Sequence, residues 1–529
     1  MAESVHEVAG AVRRAPDVVQ IQHDPSGPWQ DAIRTPDGWG CGDALVTLDD
    51  GGSVALVSDG AVARIWLRWA VPVPSGVRVL GDHWERGYGD LEWRGPAADR
   101  PLPWYFLLQH DEATVGIGVR TGPGAWCAWS VDAGGIGLLL DVRAGAAALR
   151  PGDRVVALAE LVSVTGADPF PTALQLCRQM CADPVLPPEP VYGGNNWYHA
   201  YGRSSASAIL GEARQLADLA GDHPNRPWMV VDDGWQSGWA PGFNGGPWRS
   251  GNDRFPDMSA LATDIAAAGA RPGIWFRPLL TASAGDLPTL RETAGGTVPD
   301  PSVPETVDLV TADVHRLVDQ GYRLIKHDFT TVDVTGRWGR DMGWDPVDPE
   351  LRFADPTRTT VEILRDLYRA IAGAAGPALV LGCNTVGHLA AGLFALQRTG
   401  DDTSGVDWAR TRTLGVNTLA FRMPQHGTFF ATDADCVGIT DRIDWHENRQ
   451  WLDLLARSGT ALFVSAAPGS LTAEQESDLR TAFATAAGPR PPARPLDWTD
   501  TAVPSEWAFG DAPAGYDWFA GAARPLLGG

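Results

Sequence analysis

The sequence predicts an α/β protein: a (β/α)8 barrel preceded by an N-terminal antiparallel β-sandwich and followed by a short C-terminal β tail. Three observations lead there. Residues 1–184 hold short β-branched and aromatic runs punctuated by Gly, Pro and Asp. From residue 191, eight short apolar runs alternate with helical stretches, the rhythm of parallel βα units. Polar side chains gather at the ends of those runs, where barrels carry their functional groups.

Runs 63–71, 113–119 and 154–164 read as sandwich strands. A helix over 172–181 follows, and the Pro-rich stretch 184–190 sets a boundary. Barrel strands are expected at 191–197, 227–233, 271–278, 322–329, 378–384, 393–400, 428–437 and 461–465. A helix over 208–220 would place Ile209, Leu210, Ala213, Leu216, Leu219 and Ala220 on one face. Thr472 and Gln475 form a capping-box pair that opens a helix reaching residue 487. The Pro-rich stretch 488–495 then closes the barrel. The division is therefore 1–184, 185–488 and 489–529, the last long enough for a strand or two only.

Composition excludes several classes. The net charge of -23 repels phosphate backbones and argues against a nucleic-acid partner. The 23 Trp residues suit a carbohydrate cleft, where indole faces stack on sugar rings, and equally suit cores and sandwich interfaces. Cys41, Cys127, Cys177, Cys181, Cys383 and Cys436 show no zinc-site spacing. His388, His426 and His446 are dispersed, so no metal is implied. No phosphate loop or dinucleotide fingerprint occurs, so no cofactor is implied either. Residues 1–25 lack an apolar signal region, and no long apolar run suggests a membrane span. The expectation is a cytoplasmic protein with reduced thiols and no membrane partner.

The strand ends carry the chemistry. They bear Asn195, Asn196 and Trp197; Asp232, Asp233 and Trp235; Lys326, His327 and Asp328; Cys383 and Asn384; and Asp401 and Asp402. One Asp at such a place serves as a helix cap. Five acids and a lysine at five strand ends would ring one opening. Side chains at i and i+2 face the same way, so Lys326 and Asp328 point together. The ammonium would keep Asp328 ionised, as a nucleophile requires. A glycosidase needs a second carboxyl to protonate the leaving oxygen, and Asp401 or its neighbour Asp402 would supply it.

At these residues the chain resembles the α-galactosidases of glycoside hydrolase clan D, especially the bacterial melibiase and raffinose synthase family, glycoside hydrolase family 36. The motifs run in order: Asn196-Trp197, Val231-Asp232-Asp233-Gly234-Trp235, Gly273-Ile274-Trp275-Phe276, Ile325-Lys326-His327-Asp328, Gly382-Cys383 and Thr399-Gly400-Asp401. Asp435-Cys436 and Ser458-Gly459-Thr460 resemble later barrel elements, and residues 82–93 resemble part of the family's N-terminal domain. The resemblance implies a retaining hydrolase with Asp328 as nucleophile and Asp401, rather than Asp402, as acid/base. It implies an oligosaccharide or glycoside substrate, and a homo-oligomer is compatible with it. Asp232 and Asp233 would bind the sugar's 4- and 6-hydroxyls, Lys326 a neighbouring hydroxyl, and Trp197 would line the pocket. Trp275, Arg277, Cys383 and Asn384 complete the expected substrate site.

The chain departs from the family's pattern at His327, where a Trp is usual, at Arg277, where a Glu is usual, and at Asn384-Thr385, where Ser-Gly is usual. A cation at Arg277 would favour an anionic or modified sugar. Trp84 and Glu85 are candidates to reach the site from the sandwich, and Arg410 is a candidate partner for Asp401. The alternatives are a transglycosidase, a hydrolase for another sugar such as an N-acetylgalactosaminide or β-L-arabinopyranoside, and a non-catalytic sugar-binding relative.

Overall fold

A closed barrel of eight parallel strands forms the centre of the computed structural model, which describes residues 5–520 apart from 283 and 294. Its strands are β1 (Tyr192–Asn195), β2 (Trp228–Val231), β3 (Arg271–Phe276), β4 (Leu324–His327), β5 (Leu379–Gly382), β6 (Leu396–Arg398), β7 (Ala431–Gly438) and β8 (Ala461–Ser465). All eight expected runs form these strands, most of them shortened. The polar residues at their carboxyl ends leave the ladder and turn into the mouth. The strands are buried on both faces, which is why they read as continuous apolar runs instead of alternating ones.

The helix after β1 spans Ala206–Ala220 and is capped by Ser205, whose hydroxyl accepts from the Ala208 N–H. It buries Ile209, Ala213, Leu216 and Leu219, as its spacing predicts, while Leu210 and Ala220 are only half-buried. It also buries Glu212, which is held by His199 at 3.1 Å. The capping box at Thr472 and Gln475 is formed. An unexpected hairpin, Thr289–Thr293 with Gly296–Pro299, follows β3.

The N-terminal region is two antiparallel sheets, one of six strands and one of eight. The helix at its end spans Pro169–Met180, three residues earlier than expected. Pro169 and Pro171 are accommodated in its first turn, where no intrahelical N–H is needed. The C-terminal segment adds three short antiparallel strands, Arg494–Pro495, Glu506–Phe509 and Ala512–Gly515. The part of the expected 489–529 segment beyond residue 520 lies outside the described residues. All six cysteines are free. Among the described residues, no helix is long and apolar enough to cross a membrane.

The sandwich docks onto the barrel through backbone as well as side chains. Gly87 N–H donates to Thr399 C=O at 2.8 Å, and Asp401 N–H donates to Gly87 C=O at 3.2 Å. Beside this bridge Arg422 donates to Asp82 Oδ1 at 2.7 and 2.9 Å and to the carbonyl of Thr399 at 2.9 Å. Both members of the pair are buried, at 4% and 7% side-chain exposure. Replacing Arg422 by Met leaves Asp82 buried without its cation. The expected loss is about 3 kcal/mol in chemical denaturation; a loss below about 1 kcal/mol would show that solvent and Gln425, whose Nε2 donates to Asp82 Oδ2 at 2.7 Å, suffice for Asp82.

Candidate active site

The mouth of the barrel holds a cavity lined by acidic, basic and aromatic side chains, the convergent polar lining of a small-molecule site. β1 sets up the first acid. Asn195 Nδ2 donates to Asp232 Oδ2 at 2.6 Å, and Asn196 Oδ1 accepts from the Asp232 N–H at 2.7 Å. Lys326 Nζ binds the same Asp232 Oδ2 at 2.6 Å. Burial works against the charged ammonium, but Asp232 outweighs it, and the Lys326 pKa is held above its ordinary value.

Asp233 is placed differently. Gln236 Nε2 donates to it at 2.8 Å and the Trp239 indole at 3.3 Å. Burial, with Asp232 beside it, pushes its carboxyl up to about 6 despite those bonds.

Asp328 follows β4 and faces the cavity beside Lys326, as the i, i+2 relation predicts. Its Oδ2 accepts from Trp275 Nε1 at 2.9 Å. Its Oδ1 accepts from Asn384 Nδ2 at 2.7 Å, Phe329 N–H at 2.8 Å and Asn384 N–H at 3.1 Å. Burial would raise this carboxyl. The Lys326 charge, the Trp275 bond, Arg86 and the Asn384 bond more than offset burial, and the pKa lies below the usual carboxylate range. The next residue, Phe329, has φ 64°, a left-handed conformation that is strained for a bulky residue and places its N–H on Asp328.

Across the cavity β6 leads into Asp401 and Asp402. Asp401 Oδ1 lies 3.1 Å from Arg86 Nη2, and Oδ2 lies 3.7 Å from Arg410 Nη2, the partner considered from sequence. Arg398 is buried and binds Asp435 at 2.9 Å, Asp433 at 3.2 Å and Asp402 at 3.3 Å. Burial and the nearby Asp435 raise the Asp402 carboxyl, against the pull of Arg398 and Arg86.

Of the residues singled out from sequence, Trp197, Asp232, Asp233, Trp275, Lys326, Asp328, Cys383, Asn384, Asp401 and Asp402 all line this one cavity. Burial pushes the Cys383 thiol well up, so it is a neutral wall group.

Arg277 does not line the cavity. Its guanidinium pairs with buried Asp333, at 2.9 Å through Nε, and its Nη1 donates to Asn244 Oδ1 at 2.7 Å. It stacks on Phe329, 4.6 Å from the ring centroid. Its charge is neutralised behind the wall, which removes the ground for an anionic sugar. His327 also points away, because it alternates with Lys326 and Asp328 along the strand. It is packed against Phe276, Tyr368 and Phe394, and burial drives its pKa down to about 3. Trp84 donates to the carbonyl of Gly343, and Glu85 accepts from Gly339 N–H; it is their neighbour Arg86 that reaches the cavity. His388 stacks on Trp104, His426 is half-buried and accepts from the Thr432 N–H at 3.1 Å, and His446 is exposed.

Sequence reasoning missed Arg86, Asn244, Trp338 and Asp435 as cavity residues, and gave Arg398 and Tyr198 no role. Arg86, Asn244 and Trp338 come from outside the barrel strands, where strand-end logic does not look.

No family model matches the sequence, and no curated protein does. Solved structures do match. The Thermus thermophilus α-galactosidase TtGalA, in complex with p-nitrophenyl α-D-galactopyranoside, is 17% identical with a TM-score of 0.58, covering 92% of this chain and 99% of that one. The GH36 α-galactosidase AgaA of Geobacillus stearothermophilus, as a variant in complex with 1-deoxygalactonojirimycin, is 14% identical at TM-score 0.58, covering 87% and 69%. An α-galactosidase from Lactobacillus brevis is 14% identical at TM-score 0.55, covering 84% and 62%. The fold is the one these α-galactosidases share. The barrel and sandwich expected from sequence are both part of the shared structure.

The Asp233 shift has a measurable sign. Below about pH 4 both folded and unfolded chains carry the proton. Between about pH 4 and 6 the unfolded chain releases it and the folded chain retains it, so stability falls as pH rises through that window. Asp233→Asn does not titrate. Its stability relative to wild type should therefore rise by roughly 2–3 kcal/mol between pH 4 and 7 in urea unfolding. Parallel pH curves for the two proteins would show that Asp233 ionises normally.

Proposed function

We propose that the chain is a retaining glycoside hydrolase that cleaves α-galactoside-like bonds by double displacement. Asp328 is the nucleophile and Asp401 the acid/base. The observation that carries this is the Asp328 carboxylate. It faces the cavity at the barrel mouth, accepts four hydrogen bonds, and is kept ionised by Lys326 despite burial. The fold shared with α-galactosidases supports the sugar class.

Asp328 Oδ1 accepts three of those bonds and Oδ2 only one. Oδ2 therefore keeps more electron density free and attacks the anomeric carbon. Asp401 protonates the leaving oxygen, then takes a proton from the water that resolves the glycosyl-enzyme. The Asp232, Lys326 and Asp233 groups present acceptors and a cation to the hydroxyls of the bound ring. An epimer unable to match them would leave buried polar groups unpaired, which gives selectivity.

A second reading assigns the acid/base to Asp402. Its raised carboxyl favours it, since the first step needs a proton to donate.

Release of p-nitrophenol from a panel of p-nitrophenyl α-glycosides tests the whole assignment. The galactoside should be cleaved, and Asp328→Asn should lower kcat by about 10,000-fold without unfolding the protein. A fully active variant would remove the nucleophile, and silence of the wild type across the panel would remove the proposed function. Product analysis with added sugar acceptors separates hydrolysis from transfer.

Leaving groups separate the two acids. The variant of the true acid/base should keep activity on a dinitrophenyl glycoside, lose about 1,000-fold on an alkyl glycoside, and be rescued by azide. Asp401→Asn is expected to behave this way and Asp402→Asn not; the reverse pattern establishes Asp402.

A further inference from the structure

Among the described residues, Arg86 is the one cation lining the cavity that does not come from the barrel. It sits on the sandwich segment 82–93, beside the Gly87–Gly400 backbone bridge. The glycines make that bridge possible. A Cβ on Gly400 would lie 2.1 Å from the Leu414 carbonyl, and one on Gly87 would lie 2.8 Å from Thr418 Cγ2. The two chains therefore run close enough to put Arg86 Nη2 at 3.1 Å from Asp401 Oδ1.

Docking of the two domains does not explain a charge at this point. The backbone bridge and the Arg422–Asp82 pair already join them. The Arg86 side chain is buried, at 3% exposure, and its Nε has no hydrogen-bond partner. Burying a guanidinium that is incompletely bonded is costly. Its ion-pair partner is not a core group either: Asp401 is 31% exposed and opens into the cavity. Of the other groups around Arg86, the Tyr88 ring centroid lies 5.8 Å from the guanidinium, Glu85 is engaged through Oε1 by Tyr88 and Gly339 N–H while its Oε2 has no hydrogen-bond partner, and Cys383 is a neutral thiol. On the far side of Asp401, Arg410 lies at 3.7 Å and also donates to the Asp402 carbonyl at 2.6 Å.

We infer that Arg86 is a positioning residue, supplied by the sandwich, that fixes the orientation of the Asp401 carboxyl for proton transfer to and from the glycosidic oxygen. This rests on the assignment of Asp401 as acid/base. Arg86 Nη2 contacts one carboxylate oxygen, Oδ1, while Arg410 lies on the side of the other, Oδ2, so the two cations bracket the carboxyl. The N-terminal domain is thereby part of the catalytic unit. A small displacement of a reacting group costs about 100-fold in rate, and that is the scale expected here.

The test uses the full chain and a series of aryl and alkyl α-galactosides of increasing leaving-group pKa. Wild type should show a shallow dependence of kcat/KM on that pKa. Arg86→Met should be steep, losing about 100-fold on the alkyl substrate and less than about 3-fold on the dinitrophenyl one. Arg86→Lys should lose about 10-fold on the alkyl substrate. In an Asp401→Asn background neither change should cost anything further, because residues acting through one group are not additive.

Equal losses on every leaving group would overturn the inference, since a structural defect lowers all substrates alike. An additive loss in the Asp401→Asn background would also overturn it. If Arg86→Met fails to fold, Arg86→Lys decides: full alkyl activity refutes the positioning role, and a selective alkyl loss supports it. Failure of the wild type to cleave any substrate refutes the proposed function itself. Wild-type cleavage with flat Arg86 variants refutes this inference alone.

Discussion

Six carboxylates, Asp232, Asp233, Asp328, Asp401, Asp402 and Asp435, share one cavity with three cations, Arg86, Lys326 and Arg398. Like charges this close cannot all ionise in a buried space unless each is paired or hydrogen-bonded. The mouth of the barrel is organised around that constraint. Lys326 is bound directly to Asp232 and acts on Asp328 through space. Arg398 serves Asp433, Asp435 and Asp402 at once. Two carboxylates respond differently: Asp328 is held ionised by the Lys326 charge together with its hydrogen bonds, and Asp233 shifts upward through burial. Chemically distinct acids thus arise from one residue type.

The surrounding fold follows from that distribution. The Asn195 and Asn196 side chains at the end of β1 brace Asp232 from opposite sides of its backbone and carboxyl. The strained Phe329 backbone and the Asn384 side chain brace Asp328. Asp435, itself left-handed at φ 77°, is held by Tyr198, Thr403 and Arg398. Strain of this kind persists only where neighbours over-determine the geometry, and at Phe329 and Asp435 it falls beside the carboxylates. The sandwich contributes the last cation, so neither domain alone holds the full set of charges.

The two departures at Arg277 and His327 show how sequence position misleads near a site. Both flank the cavity in the chain, yet neither lines it. Arg277 reaches back to Asp333, which lies on the short helix Thr330–Thr335 that follows β4. His327 lies on the outer face of its strand, so it is packed against aromatic side chains. Asn384, the third departure, is the one that touches a proposed reacting group.

The sequence by itself determined the barrel, the sandwich, and the set of strand-end acids with Lys326. Hydrophobic periodicity fixes strand order along the chain, and alternation fixes which of Lys326, His327 and Asp328 share a face. Tertiary structure alone decided which charges are paired. Arg86 meets Asp401 across 315 positions of sequence, and Arg277 meets Asp333 across 56, distances at which no local pattern constrains an ion pair. Burial, which moves Asp233, Asp402 and His327 from their ordinary pKa values, is likewise a property of the packed whole and has no signature in any one segment.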